Sequence, residues 1–322
     1  MRALGRIAIL GPTTLLGKEL RELLGRRKEL RGKIALLAAS EEEVGAVTET
    51  GGAAALVSRV EPGALEGVEV IFCCGPVEHD LAVIRRRPEG ATALLLSPDA
   101  RAEHGVPVVA GVNPEAARRG DVLVSPHPAA IVLACLLRPL ARLGLREAAT
   151  TVLLPVSMLG SRGLDDLLDQ TRDLLVMTGD RRETVFERQL AFNLYPSPEG
   201  AGGLAELVRR AAGLDRPLAV HVLQGAVFHG LSASLFVRFE DDPGAGAVRK
   251  ALTGQPHLSL SEAGLPAAEV PGPIESAARD EVLVGSVGPD PGHPGGYWIW
   301  AVMDNLTRGG ANNAVEVAEA AL

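Results

Sequence analysis

Aromatic side chains are scarce in this 322-residue chain, at 3% of the total, too few for the stacking platforms that hold single-stranded nucleic acids. Lysine is scarcer, with only Lys18, Lys28, Lys33 and Lys250. Basic charge is also outweighed: 32 Lys and Arg face 40 Asp and Glu, for a net charge of -8, so a phosphate backbone is repelled on average. A nucleic-acid partner is therefore not expected. The three cysteines, Cys73, Cys74 and Cys135, are an odd number with no metal-ligand spacing. Neither a disulfide framework nor a metal site is expected, and reduced thiols fit a cytoplasmic protein. The most extended apolar run of interest, 129–137, falls far short of the roughly 20 residues that span a bilayer. The first residues carry no leader-like pattern before a strand-like run begins at Arg6. No membrane association is expected.

What is present is an ordinary globular composition, 47% hydrophobic and 22% charged, in a chain long enough for about two domains of roughly 150 residues each. Residues 6–10 form an apolar run, Gly11-Pro12-Thr13-Thr14-Leu15-Leu16-Gly17 follows, and Leu20, Leu23, Leu24 and Leu30 then recur at helical spacing. This is strand, glycine turn, helix. Further strand-like runs at 33–39, 67–74, 91–96 and 106–109, with a helix-compatible segment at 77–87, predict βαβ units on a mostly parallel sheet. Beyond Val124 the predicted strands at 150–157, 221–226, 231–239 and 297–303 are longer and more alternating, with helices at 164–176 and 203–212. That pattern predicts an α+β domain with a large, mostly antiparallel sheet. The segment 242–294 is rich in Gly and Pro and reads as loops and short elements, and 313–322 has helical spacing suited to packing on the first domain.

A glycine turn after a first strand is where a dinucleotide pyrophosphate approaches backbone N–H groups, although a tight turn with close helix–strand packing has the same look. The wider pattern is more specific. In order along the chain come the glycine turn, Val112-Asn113, Ser125-Pro126-His127-Pro128, Ser157-Met158-Leu159-Gly160, Asp169-Gln170-Thr171, Ala191-Phe192-Asn193-Leu194-Tyr195-Pro196 and Asp304-Asn305-Leu306-Thr307-Arg308-Gly309-Gly310-Ala311. Along almost its whole length the chain resembles the aspartate-semialdehyde dehydrogenase family. The resemblance implies a Rossmann-type dinucleotide-binding domain at 1–124, completed by a C-terminal helix at 305–322, and an α+β catalytic and dimerisation domain at 125–304. It also implies a homodimer and a reaction joining NADP, phosphate, an acyl phosphate and an aldehyde through a cysteine thioester.

Residue by residue, the resemblance also implies that this chemistry is missing. The family's nucleophile falls at Pro128, its catalytic histidine at Leu231, its substrate-binding arginine at Gln224 and a nearby glutamine at Leu154. A proline forms no thioester, and Cys135 lies two helical turns on, about 10 Å away. His229 lies two residues before Leu231, which on a strand would be a displacement of about 7 Å. The expectation is a pseudoenzyme of the amino-acid biosynthetic family that acts by dimerisation and binding, with a partner protein or small anionic ligand.

Cofactor-binding candidates carried over are Gly11, Thr13, Thr14, Gly17, Ser40, Gly75 and Asn305, and Arg101 matches a phosphate-binding arginine. Thr14 stands where the family has the middle glycine of the turn, and Glu41, Glu42 and Glu43 follow Ser40 where it binds the 2′-phosphate of NADP with S-x-R-S. Binding of NADP or NAD is therefore expected to be weak or lost. An acidic residue here can instead bond a ribose hydroxyl; a solvated helix start would also account for the three glutamates. The alternative is a live NAD(P)-dependent oxidoreductase of altered chemistry, with His127 or His229 as proton donor. A serine hydrolase is disfavoured because no Gly-x-Ser-x-Gly elbow occurs. Asp165, Asp166 and Asp169 read as a solvated helix face.

Overall fold

The computed structural model describes residues 4–30, 32–176, 185–186, 188–197 and 201–322. They divide into two compact units, one comprising residues up to Ala134 with Glu206–Ala212 and Leu306–Leu322, the other Cys135–Ala205 with Gly213–Asn305.

In the first unit, β1 (Ile7–Leu10) leads through the glycine turn into α1 (Leu15–Gly25), then β2 (Ile34–Leu37), a hairpin of β3 (Val47–Thr50) and β4 (Ala53–Leu56), and β5 (Val70–Cys73). Then come α2 (Val77–Ile84), β6 (Thr92–Leu95), β7 (Val106–Pro107), β8 (Val122–Val124) and α3 (Pro128–Leu140). Six strands form a sheet in the order β2-β1-β5-β6-β8-β7, and every pairing in it is parallel. The near-continuous apolar strands follow from that geometry, since a parallel sheet is covered on both faces. On one face Ile7, Ile9, Val70, Phe72 and Leu94 pack with Leu20 and Leu24 of α1 and with Val315, Val317 and Ala318. The last three belong to the C-terminal helix Asn313–Ala321, which packs on this unit as its spacing predicted. Each fully buried Ile, Leu or Phe contributes about 1.5–3 kcal/mol.

The second unit carries β9 (Leu145–Leu154), α4 (Gly160–Val176), β10 (Leu194–Pro196), β11 (Leu218–Gly225), β12 (Leu231–Phe239), α6 (Ala245–Leu252), β13 (Leu258–Leu260), the single turn α7 (Pro273–Ser276), β14 (Val282–Pro289) and β15 (Gly296–Met303). Helices α3, whose residues from Cys135 on belong to this unit, and α5 (Ala201–Ala212) are divided between the two units. The sheet order is β10-β11-β9-β12-β15-β14-β13. Four pairings are antiparallel and two, β11 with β9 and β13 with β14, are parallel. The mostly antiparallel sheet is as expected. Strand β14, inside the Gly- and Pro-rich segment, was not legible locally: Gly285 sits in a bulge against β15, where a Cβ would come within 2.7 Å of Val270, so its alternation is broken.

Candidate functional site

The strand order reverses between β1 and β5, and in open α/β sheets ligands bind outside the carboxyl ends of strands at such a switch point. Gly11 ends β1 there with φ +76°, and a Cβ on it would lie 3.1 Å from the backbone of Cys74 and of Gly75. Gly17 is required by close packing, since its Cβ would meet the Gly11 carbonyl at 2.2 Å. Thr14 caps α1: its hydroxyl donates to the Gly11 carbonyl at 2.9 Å and accepts from the Gly17 N–H at 3.0 Å. Arg21, buried on α1, donates to the Pro12 carbonyl at 2.8 Å and props the turn from below.

The acidic segment after β2 is not a uniformly solvated helix start. It is a single 3₁₀ turn, Glu41–Glu43, whose three side chains go different ways. Glu41 is exposed and pairs with both terminal nitrogens of Arg59, Glu42 is exposed, and Glu43 is buried. The Glu43 carboxylate accepts the Ala39 N–H at 2.6 Å, the Thr13 N–H at 3.2 Å and the Thr13 hydroxyl. Ser40 is exposed and makes no side-chain cap bond.

At the end of β5, the buried Gly75 donates its N–H to Asp80 Oδ2 at 3.0 Å. Asp80 Oδ1 is buried without a hydrogen-bond partner, and His79 Nδ1 lies 3.6 Å from it. Burial, opposed by the Gly75 bond and reinforced by Glu43, pushes the Asp80 carboxyl up to about 8. Sequence reasoning passed over Asp80. Its only local signal is an acid in the first turn of a helix that begins after Gly75-Pro76.

The neighbouring strands β6 and β8 lead at their carboxyl ends to Arg101 and to His127-Pro128. Pro128 opens α3, the position where a missing N–H costs nothing, and His127 Nδ1 accepts the Ala129 N–H at 3.1 Å. Burial and then the Arg101 guanidinium push the His127 imidazole down to about 4, so it is neutral at physiological pH. Arg101 donates to the Pro98 carbonyl at 3.3 Å. Burial, with Asp80 close by, drives the Cys73 and Cys74 thiols well above their ordinary range, where the nucleophilic thiolate is disfavoured. Cys135 is buried within α3.

In the second unit, Gln224 and Leu154 are register partners on β11 and β9. Gln224 is buried and donates through Nε2 to the Leu154 carbonyl at 3.0 Å and to the Gly225 carbonyl at 3.2 Å. Leu231 is fully buried. His229 is exposed and lies before β12 begins, so the strand-based displacement from Leu231 does not apply. Asn305 is buried: its Nδ2 donates to Ser157 Oγ at 3.0 Å, and its Oδ1 accepts the Gly230 N–H at 3.2 Å. On α4, Asp165 is exposed and Asp169 pairs with the exposed Arg172, as a solvated face implies, but Asp166 does not fit that expectation. Asp166 accepts the N–H of Val185 at 2.6 Å, and Gln170 accepts those of Leu190 at 2.7 Å and Ala191 at 3.1 Å. These bonds hold the loop that presents Phe192, 73% exposed and at φ +60°.

A parallel sheet with a glycine turn at its switch point, together with a separate mixed sheet of seven strands, defines a dinucleotide-type α/β protein with an added α+β unit. Residues 137–308 match the family described as semialdehyde dehydrogenase, dimerisation domain. The chain is 31% identical to a USG-1 protein homolog of Azotobacter vinelandii over 97% of this chain and 96% of that one. It is 27% identical to an aspartate-semialdehyde dehydrogenase of Synechocystis over 98% and 96% of the two chains. A solved structure of a probable aspartate-semialdehyde dehydrogenase from Pseudomonas aeruginosa superposes with a TM-score of 0.87 at 28% identity, covering 98% of each chain. The chain belongs to the semialdehyde dehydrogenase family. Among the described residues no helix is long and apolar enough to cross a membrane.

Proposed function

We propose that this chain is a catalytically silent homologue of aspartate-semialdehyde dehydrogenase that acts as a homodimer through binding. The observation that carries this reading is Pro128 at the first position of α3. Thioester chemistry needs a thiolate, and a helix N-terminus is where one would be stabilised. Here that position has no sulfur, and the Ala129 amide beside it is capped by His127. Leu231 and Gln224 support the same reading, one replacing a proton-handling group by a buried alkyl chain, the other an anion-binding cation by a neutral amide turned onto its own sheet. In this reading residues 1–124 with 305–322 keep the nucleotide-binding scaffold and 125–304 supply the dimer contact. Exposed apolar side chains on the second unit, Leu168, Leu175, Val176 and Trp298 among them, suit such a contact.

The alternative of altered hydride chemistry needs a proton donor; His127 is neutral at physiological pH and engaged as a cap, which leaves the exposed His229 as its candidate. The test supplies NADP, phosphate and aspartate semialdehyde and follows cofactor reduction. No turnover is expected; turnover abolished by Cys135→Ser would overturn the reading. Light scattering is expected to give twice the monomer mass, and a monomer at micromolar concentration would remove the dimer.

A further inference from the structure

We propose that Glu43 is the residue that sets nucleotide choice in this chain: it leaves one acceptor site for a ribose hydroxyl and rejects a 2′-phosphate. This rests on the reading of the first unit as a nucleotide-binding scaffold. In such scaffolds the residue following the second strand meets the adenosine ribose, an acid bonding the 2′-hydroxyl and a cation accommodating a 2′-phosphate. Glu43 lies six residues past the end of β2 at Leu37, but its carboxylate is folded back onto the strand's exit at the Ala39 N–H, 2.6 Å away, and onto the glycine turn at Thr13. It is buried, so its position is set by packing and by these bonds.

Counting acceptor sites sharpens the assignment. An ionised carboxylate offers about four lone-pair positions. Oε1 takes two donors from Thr13 and Oε2 takes one from Ala39, which leaves one place suited to a hydroxyl donor and none to an anion. A second observation points the same way: Arg59, the cation that pairs with this acidic turn, is already engaged by both oxygens of Glu41.

The experiment measures binding of AMP and of adenosine 2′,5′-bisphosphate by calorimetry to the full chain, to Glu43→Ser and to Glu43→Gln, with thermal melting to confirm that each is folded. The wild type is expected to prefer AMP. Glu43→Ser is expected to raise the affinity ratio of bisphosphate to AMP by at least about tenfold, in the range that removing a like-charge contact gives. Glu43→Gln, which keeps an acceptor oxygen and loses the charge, is expected to fall between them. An unchanged ratio in both variants, an equal gain for both ligands, or no detectable binding of either ligand to any of the three proteins each overturns the assignment. None of these results touches the turnover assay, so loss of this inference and loss of the catalytically silent reading are separable.

Discussion

Gln224 donates its side-chain amide to the carbonyl of Leu154, its register partner on the adjacent parallel strand, at 3.0 Å. Two sequence positions seventy residues apart are therefore side by side, and neither side chain carries a charge that could hold an anion. Substituting Gln224 by Met, similar in length but without donors, removes a buried hydrogen bond and is expected to lower stability by about 1 kcal/mol. Urea unfolding measures this; an unchanged midpoint would mean that the bond contributes nothing.

Pro128→Cys tests the proposed nucleophile position from the other direction. A thiol at the first position of α3 gains the helix N-terminus and the nearby Arg101, both of which favour thiolate. Position 128 is buried, as are Cys73 and Cys135, so the comparison turns on thiolate fraction: the variant is expected to react with a maleimide at a lower pH than any wild-type cysteine. It is still expected to give no turnover, because Leu231 supplies no proton acceptor. Labelling at no lower pH than wild type would show that no such thiolate is available there.

Asp80 gives a signed pH dependence. Its carboxyl is raised to about 8 in the fold, from the ordinary aspartate range of about 4, so between roughly pH 4 and pH 8 the native state holds a proton that the unfolded chain releases. Its contribution therefore falls as pH rises through that window. Asp80→Asn, which keeps an acceptor for the Gly75 N–H, is expected to match wild type near pH 4 and to exceed it by at least about 1 kcal/mol at pH 8. Denaturant unfolding at the two pH values decides it, and a difference independent of pH would refute the assignment.

Gly17→Ala is expected to destabilise by about 1–3 kcal/mol or more, the range for overpacking, because the added Cβ would meet the Gly11 carbonyl at 2.2 Å and Pro12 Cα at 2.8 Å. Neither contact belongs to a flexible side chain that could yield. A thermal melt unchanged from wild type would show that the turn can shift away.

Local pattern was enough for much of this protein. The run at 6–10, the glycine turn and the leucine spacing after it determine β1, the turn and α1, because apolar periodicity and backbone conformation act over a few residues. Motif order carried the family resemblance, and composition disfavoured a nucleic-acid partner. Three relationships were decided only by tertiary structure. Glu43 stands in a run of three identical residues, and nothing local distinguishes the one turned inward onto Thr13 from the two left exposed. Asp80 reads as an ordinary helix-start acid until Gly75 and the sheet bury it. Asp166 has the spacing of a solvated face until the backbone at Val185 and Phe186 comes to it, and Gln170 of the family motif is committed to Leu190 only in the fold. In each case the state of a polar side chain depends on which backbone donors the fold brings within about 3 Å, and those donors come from other parts of the chain.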